Sequence, residues 1–231
     1  MSISPQPILA LDVPSLAAAR DLVARLDGRA DFFKVGLQLF TSEGPTVVGW
    51  LRALGKRVFL DLKMHDIPNT VLQAADRAAG MGVQLLTVHG LGGERMIEAA
   101  VAGAGSAMGV LVVTVLTSLD ETELAASLGR PPVSAREEVL RLASIARSAG
   151  AHGVVCGGAE CAAVAQAGAS ALRVLVPGIR LAGSVADDQR RSTSAAEARK
   201  AGASYVVIGR AVTGTENPAS AWDEITRQLA G

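Results

Sequence analysis

Eight short apolar runs, each rich in β-branched residues, constrain this chain more than any other feature. They occupy residues 8–13, 32–37, 58–62, 85–89, 110–116, 153–156, 172–176 and 205–208. Near-continuous apolarity, in place of strict alternation, is the pattern of parallel strands covered on both faces. Between the runs lie stretches with helical spacing. Leu16, Leu22, Val23 and Leu26 make one apolar face, and Val139, Leu142, Ile145 and Ala146 make another. The strand-then-helix unit returns roughly every 20–30 residues, which predicts a single-domain (β/α)8 barrel over residues 1–231. A doubly wound open sheet is the alternative, but eight evenly spaced units favour closure.

Helix punctuation agrees with this frame. Asn217-Pro218 sets an N-cap before a proline at the first helical position, with Trp222, Ile225 and Leu229 following on one stripe. Asp12-Val13-Pro14-Ser15 sets a turn and cap after the first strand. Gly28, Gly55, Gly80, Gly150, Gly168 and Gly202 fall where a left-handed residue ends a helix. The longest gap follows the fifth strand, where residues 120–132 are expected to add a short helix and a Pro-Pro turn.

Composition excludes several classes. Nearly half the residues are apolar but few are aromatic, so the core must be filled by Ala, Val, Leu and Ile. The 22 basic and 22 acidic residues cancel, leaving no broad field for nucleic acid or an anionic membrane. Any bound anion must be gripped locally. Residues 1–7 lack a basic and apolar secretory pattern, and residues 110–116 are too short a run to span a bilayer, so a soluble cytoplasmic protein is expected. Cys156 and Cys161 have neither the number for a zinc site nor the spacing of a redox pair, and read as reduced packing residues.

In such a barrel, chemistry sits at the C-terminal ends of the strands. Polar residues there include Asp12 at the end of strand one, Lys34 inside the apolar second strand, and Asp61 and Lys63 at the end of strand three, with Asp66 in the loop beyond. A charge pointing into a barrel needs partners. Asp61 and Lys63, two residues apart, leave one face of their strand and supply both signs. Such a network can hold a lysine ready as an acid or crowd a carboxylate against another anion. On strands seven and eight, Gly178-Ile179-Arg180 and Gly209-Arg210 place a glycine and an arginine just past the strand, a phosphate-gripping arrangement in barrels. Residues 181–191, polar and containing Gln189, are expected to form a lid. His89, ending strand four, reads equally as a general acid or as hydrogen-bonded structure. His65 has no metal set around it, and His152 reads as packing. Glu94 and Glu98 face solvent, and Gly90-Leu91-Gly92-Gly93 lacks the dinucleotide spacing.

Asp61-Leu62-Lys63-Met64-His65-Asp66-Ile67-Pro68-Asn69-Thr70 resembles the D-x-K-x-x-D-I-P-N-T signature of the orotidine 5′-phosphate decarboxylase family. The likeness runs from Leu9-Ala10-Leu11-Asp12 through Phe33-Lys34-Val35-Gly36 and Thr114-Val115-Leu116-Thr117-Ser118. It continues to Pro177-Gly178-Ile179-Arg180, Asp188-Gln189-Arg190-Arg191 and Val207-Ile208-Gly209-Arg210-Ala211. The resemblance implies conversion of orotidine 5′-phosphate to UMP and CO2, the last step of de novo UMP synthesis, with no cofactor and no metal. It implies that Lys63 protonates C6 of the pyrimidine, that Asp61 lies beside the substrate carboxylate, and that Lys34 and Asp66 complete the charged network. Asp12 with Lys34 is expected at the ribose, Thr117 with Ser118 as a possible partner at the base, and Arg180, Gln189, Gly209 and Arg210 at the phosphate. It further implies a homodimer in which Asp66, Ile67 and Thr70 reach the neighbouring site. Two departures touch no catalytic position: Leu175-Val176 stands where the family often has threonine, and the lid reads Leu181-Ala182-Gly183-Ser184. The nearest rival is the Mg²⁺-dependent 3-keto-L-gulonate 6-phosphate decarboxylase or hexulose-phosphate synthase type. It shares the D-x-K-x-x-D run but has glutamate where Lys34 stands, and Ile67-Pro68 also argues against it. A non-catalytic phosphate-binding barrel would not need such crowding of charge.

Overall fold

The computed structural model describes residues 4–131, 134–167, 172–180 and 193–231. Eight parallel strands close into a barrel: β1 (Gln6–Ala10), β2 (Phe32–Gly36), β3 (Arg57–Met64), β4 (Leu85–His89), β5 (Gly109–Val113), β6 (Gly153–Val155), β7 (Arg173–Val176) and β10 (Tyr205–Ile208). Between the last two, β8 (Ile179–Arg180) and β9 (Thr193–Ser194) form a separate parallel ribbon. β1 pairs with both β2 and β10, which removes every sheet edge.

The strands are apolar on both faces because both are covered. Ile8, Ala10, Phe32, Phe59, Leu85, Leu111, Leu175 and Val207 fill the barrel interior. The alternate residues, such as Leu9, Phe33, Val58, Leu60, Leu86 and Val112, pack outward against the helices in one continuous layer. Burying a side chain of this size contributes roughly 1.5–3 kcal/mol. The helices present the expected stripes. Leu22 is buried in Leu16–Arg25, with Leu26 just past its end; Val139, Leu142 and Ala146 are buried in Ala135–Ser148; and Trp222, Ile225 and Leu229 are buried in Pro218–Ala230. Ile145 is only partly buried, at the edge of its stripe. Ser15 and Asn217 cap their helices by accepting from the Ala18 and Ser220 amides. Among the described residues no helix is long and apolar enough to cross a membrane.

Most strand ends differ from expectation by one to three residues, and three boundaries move a residue of interest. β1 stops at Ala10 and β5 at Val113, so Asp12 and Thr117 stand on loops beyond the ladder. Gly80 lies inside the helix Pro68–Gly80, and the left-handed turn falls on Gly82, at φ 74°. Gly28, Gly55, Gly150 and Gly202 do take positive φ at helix ends, and Gly168 lies outside the described residues. Cys156 and Cys161 are free and buried, and burial pushes the Cys161 thiol up to about 12.

The excursion after β5 contains the expected extra helix, Glu121–Leu128, started by a reciprocal Asp120–Glu123 capping box. The Pro-Pro turn falls partly outside the described residues, at Pro132. A buried ion cluster pins the excursion to the next helix. Glu138 is 2 % exposed and receives hydrogen bonds from Arg130 and from both Nε (3.0 Å) and Nη2 (2.6 Å) of Arg141. The Arg141 bond, opposed by burial and reinforced by Arg130, holds the Glu138 carboxyl below its ordinary pKa. A carboxyl whose folded pKa is depressed stabilises the fold above its unfolded pKa, and that contribution disappears as pH falls through the folded value. Glu138→Gln is therefore expected to lower stability at pH 7 by roughly 1–3 kcal/mol in urea unfolding. The gap to the parent protein should close as pH falls below about 4.

Candidate active site

A cavity of ≈ 640 Å³ opens at the C-terminal ends of the barrel strands. That is nucleotide-sized, within the roughly 300–1,000 Å³ of small-molecule sites. Phe59, Val113, Val155, Leu175 and Val207 contribute apolar surface to it, and Asp12, Lys34, Asp61, Lys63, Thr117, Arg180, Gly209 and Arg210 also line it.

The charges are strung in alternating order. Lys34, on β2 and only 8 % exposed, donates to Asp12 Oδ1 at 2.8 Å and lies 3.6 Å from Asp61 Oδ2. Asp61, on β3 and 9 % exposed, receives the Lys63 Nζ on both oxygens at 2.9 and 3.0 Å. Burial alone would raise the Asp61 pKa. Lys34 and Lys63, with hydrogen bonds from Lys63 and Thr87, outweigh it and hold the carboxyl below its ordinary value.

Two supports went unnoticed in the sequence. Thr87, fully buried in β4 between Leu86 and Val88, donates to Asp61 Oδ1 at 2.9 Å and accepts the Lys63 amide at 2.9 Å. It thereby joins the carboxylate to the backbone of the neighbouring lysine. A lone threonine in Leu85-Leu86-Thr87-Val88 was the available signal. Gly36, opposite Asp61 in the β2–β3 register, is the second: a Cβ there would lie 2.8 Å from Lys34 Nζ and 2.9 Å from Asp12 Oδ1. Its hydrogen leaves room for the ion pair.

Asp61 and Lys63 do meet, but not on a regular strand. Lys63 adopts φ 50°, and the β3–β4 register shifts between Leu60 and Met64. The bulge turns the backbone so that the Lys63 ammonium folds back onto Asp61.

Asp66, Ile67 and Thr70 do not line this cavity; they are exposed, with Ile67 at 67 %. Asp66 Oδ1 accepts the Ile67 amide at 2.6 Å, at the entry to the helix Pro68–Gly80. Ser118 is exposed beside Thr117, outside the lining. Gln189 and most of the expected lid fall in residues 181–192, outside the described residues.

The remaining histidines keep structural company. His89 Nδ1 accepts the Leu91 amide at 3.3 Å, and its ring stacks on His65 at 5.5 Å between centroids. Burial, then His65 and Lys63, hold the His89 pKa below the ordinary histidine value. His152 shares a 3.0 Å hydrogen bond with the Tyr205 hydroxyl at the opposite end of the barrel. Glu94 and Glu98 are exposed. Among the described residues no group of three or more His, Cys, Asp or Glu side chains is placed to hold a metal ion.

Relatives carry the same architecture and length. Orotidine 5′-phosphate decarboxylase of Anaeromyxobacter sp. (strain K) is 49 % identical over 213 residues, covering 92 % of each chain. That of Alcanivorax borkumensis is 44 % identical over 233 residues and covers both chains entirely. The crystal structure of orotidine 5′-phosphate decarboxylase from Lactobacillus acidophilus superposes with a TM-score of 0.85 at 32 % identity, covering 99 % of this chain and 100 % of that one. The family model described as Orotidine 5′-phosphate decarboxylase / HUMPS family matches residues 5–225. A closed barrel with its charges at the strand ends, and relatives this similar over nearly its whole length, give one conclusion: the chain belongs to the orotidine 5′-phosphate decarboxylase / HUMPS family.

Proposed function

We propose that this protein decarboxylates orotidine 5′-phosphate to UMP and CO2, the closing step of UMP biosynthesis, in the cytoplasm and with neither metal nor cofactor. The observation that carries the proposal is the alternating chain Asp12–Lys34–Asp61–Lys63, buried at Lys34 and Asp61, which ends with an ammonium at a nucleotide-sized cavity. When the C6–carboxylate bond breaks, its electron pair stays on C6 of the pyrimidine, where resonance gives little relief. An ammonium already fixed by two bonds to Asp61 stabilises that charge without reorganising, then transfers its proton to C6. Lys63 recovers a proton from solvent before the next turnover.

Asp61 is placed beside the departing carboxylate, and the two anions repel in the ground state. That repulsion ends as neutral CO2 forms. Lys34 and Asp12 take the ribose hydroxyls, Thr117 with Ser118 beside it the base, and Arg180, Gln189, Gly209 and Arg210 the phosphate. β7, which leads into Arg180, stands four places from β3 in the eight-stranded ring, and so directly across it. The phosphate is therefore held far from the reacting carbon, where its binding energy offsets the crowding of charge at C6.

The protein acts as a homodimer with shared sites. Asp66, Ile67 and Thr70 are exposed outside their own cavity, and a large exposed isoleucine suits burial against a second copy. There Asp66 completes the neighbouring network.

Purified protein with EDTA and no added metal should consume orotidine 5′-phosphate, followed by loss of its ultraviolet absorbance. Absence of turnover would refute the proposal. Activity abolished by EDTA and restored by Mg²⁺ would point to the gulonate- or hexulose-phosphate chemistry instead. Lys63→Ala should cut kcat by at least roughly 10²–10³-fold with an unchanged circular dichroism spectrum. Arg210→Ala should act mainly on KM, by roughly 10–100-fold, as expected for losing a charge-assisted phosphate contact. An interchange of these two effects would show the roles to be misassigned. Gly36→Ala should lower kcat/KM while leaving the unfolding midpoint nearly unchanged, because the new methyl displaces only the Lys34–Asp12 pair. Full activity in that variant would show that the pair's geometry is not needed.

A further inference from the structure

We propose that His65 and His89 form a stacked positioning pair that locks the catalytic backbone between Lys63 and Asp66; this rests on the decarboxylase reading above. Lys63 holds a left-handed conformation, φ 50°, which a lysine does not adopt unless its surroundings impose it. On its N-terminal side the imposition is visible: Asp61 is fixed in the β2–β3 ladder, and the Lys63 amide is bound by Thr87. On its C-terminal side Met64 pairs with Val88, and the residues after them, His65 just beyond β3 and His89 at the end of β4, stack their rings. Their rings lie 5.5 Å apart at 16°, with exposed His65 just past the end of β3 and ahead of Asp66 and the helix Pro68–Gly80.

His89 supplies a fixed plate. Its Nδ1 accepts the Leu91 amide, which places the lone pair there and the ring proton on Nε2, a neutral imidazole. A neutral ring can carry a second ring on its face without charge repulsion. The turn Gly90–Gly92 runs close against Met96 and His65: a Cβ on Gly92 would collide with the Met96 side chain, and it would also lie 3.3 Å from His65 Cδ2. His65 makes no side-chain hydrogen bond or ion pair among the described residues, and neither histidine lines the cavity. What His65 offers is a flat face, and its effect reaches the reaction only through the backbone of Lys63.

The test compares the parent protein, His65→Ala and His65→Phe in the orotidine 5′-phosphate assay, with thermal unfolding of each. His65→Ala should lower kcat about ten- to a hundredfold, the scale of a small misplacement of a reacting group, with KM changed less than threefold and the unfolding midpoint within a few degrees. His65→Phe, which keeps a flat ring but no imidazole chemistry, should restore most of the lost kcat. Unchanged kcat in His65→Ala overturns the proposal. So does a loss of equal size in both variants, which would assign the role to the imidazole itself, or a loss confined to KM. A parent protein that does not turn over orotidine 5′-phosphate would instead sink the functional reading, so the two failures are separable.

Discussion

The structure is organised around one difficult residue, the buried carboxylate of Asp61. A charged carboxylate inside a barrel is tolerated only when opposite charges and donors surround it, and breaking such a set by removing one partner leaves an uncompensated charge. Lys34 on one side, Lys63 on the other and the Thr87 hydroxyl above meet that demand. Each of these partners then sets a condition of its own. Lys34 has Asp12 to neutralise it and needs the bare backbone of Gly36 for space; Lys63 needs a bulge in β3 to turn back on its neighbour. The sequence around the site is thus fixed less by the fold than by the terms on which a carboxylate can stay buried there.

Rigidity comes from the wall behind these groups. Asp61 and Lys34 sit one pleat above Phe59 and Phe32, in the packed interior layer, so their side chains start from strands that cannot shift without opening the core. The side proposed to hold the phosphate is built differently. Arg180 and Arg210 stand beyond the barrel strands β7 and β10, Arg180 in the two-residue strand β8 and Arg210 at the start of a helix of one turn, Arg210–Thr213. On the proposed roles, charges fixed on the barrel strands serve the reacting carbon and charges carried beyond the barrel serve binding, a division that suits the chemistry because only the first must be preorganised to a fraction of an ångström.

Most of this was legible in the sequence, for identifiable reasons. Strands covered on both faces leave continuous apolar runs, so all eight barrel strands could be placed, and charges interrupting such runs, as Lys34 does, announce a site. The errors share a cause as well. β5 was read three residues too long because Val115 and Leu116 are apolar for the sake of the cavity, which they line, not of the ladder. Gly80 reads as a helix terminator because a glycine pattern cannot tell the helix end from the turn two residues later, where Gly82 takes the positive φ. Period-two geometry brought Asp61 and Lys63 together on correct grounds but through a conformation it does not describe, since the bulge depends on Thr87 across the strand pair. Cross-strand contacts of that kind leave no local trace.

The placement of Asp66 follows from the same bulge. Along a regular strand, residues 61, 63 and 65 would share the inner face, and the chain would leave the barrel pointing inward. The left-handed turn at Lys63 spends the strand's alternation two residues early, so that Met64 re-enters the ladder opposite Val88 and the next residues are directed to the rim. One distorted residue therefore does two things: it folds its own ammonium back onto Asp61, and it presents Asp66 and Ile67 outward, away from the site they adjoin. The shared sites proposed above have a single structural origin. The strain at Lys63 then links the proton donor of one site to the carboxylate lent to another, and neither can be repositioned without disturbing both.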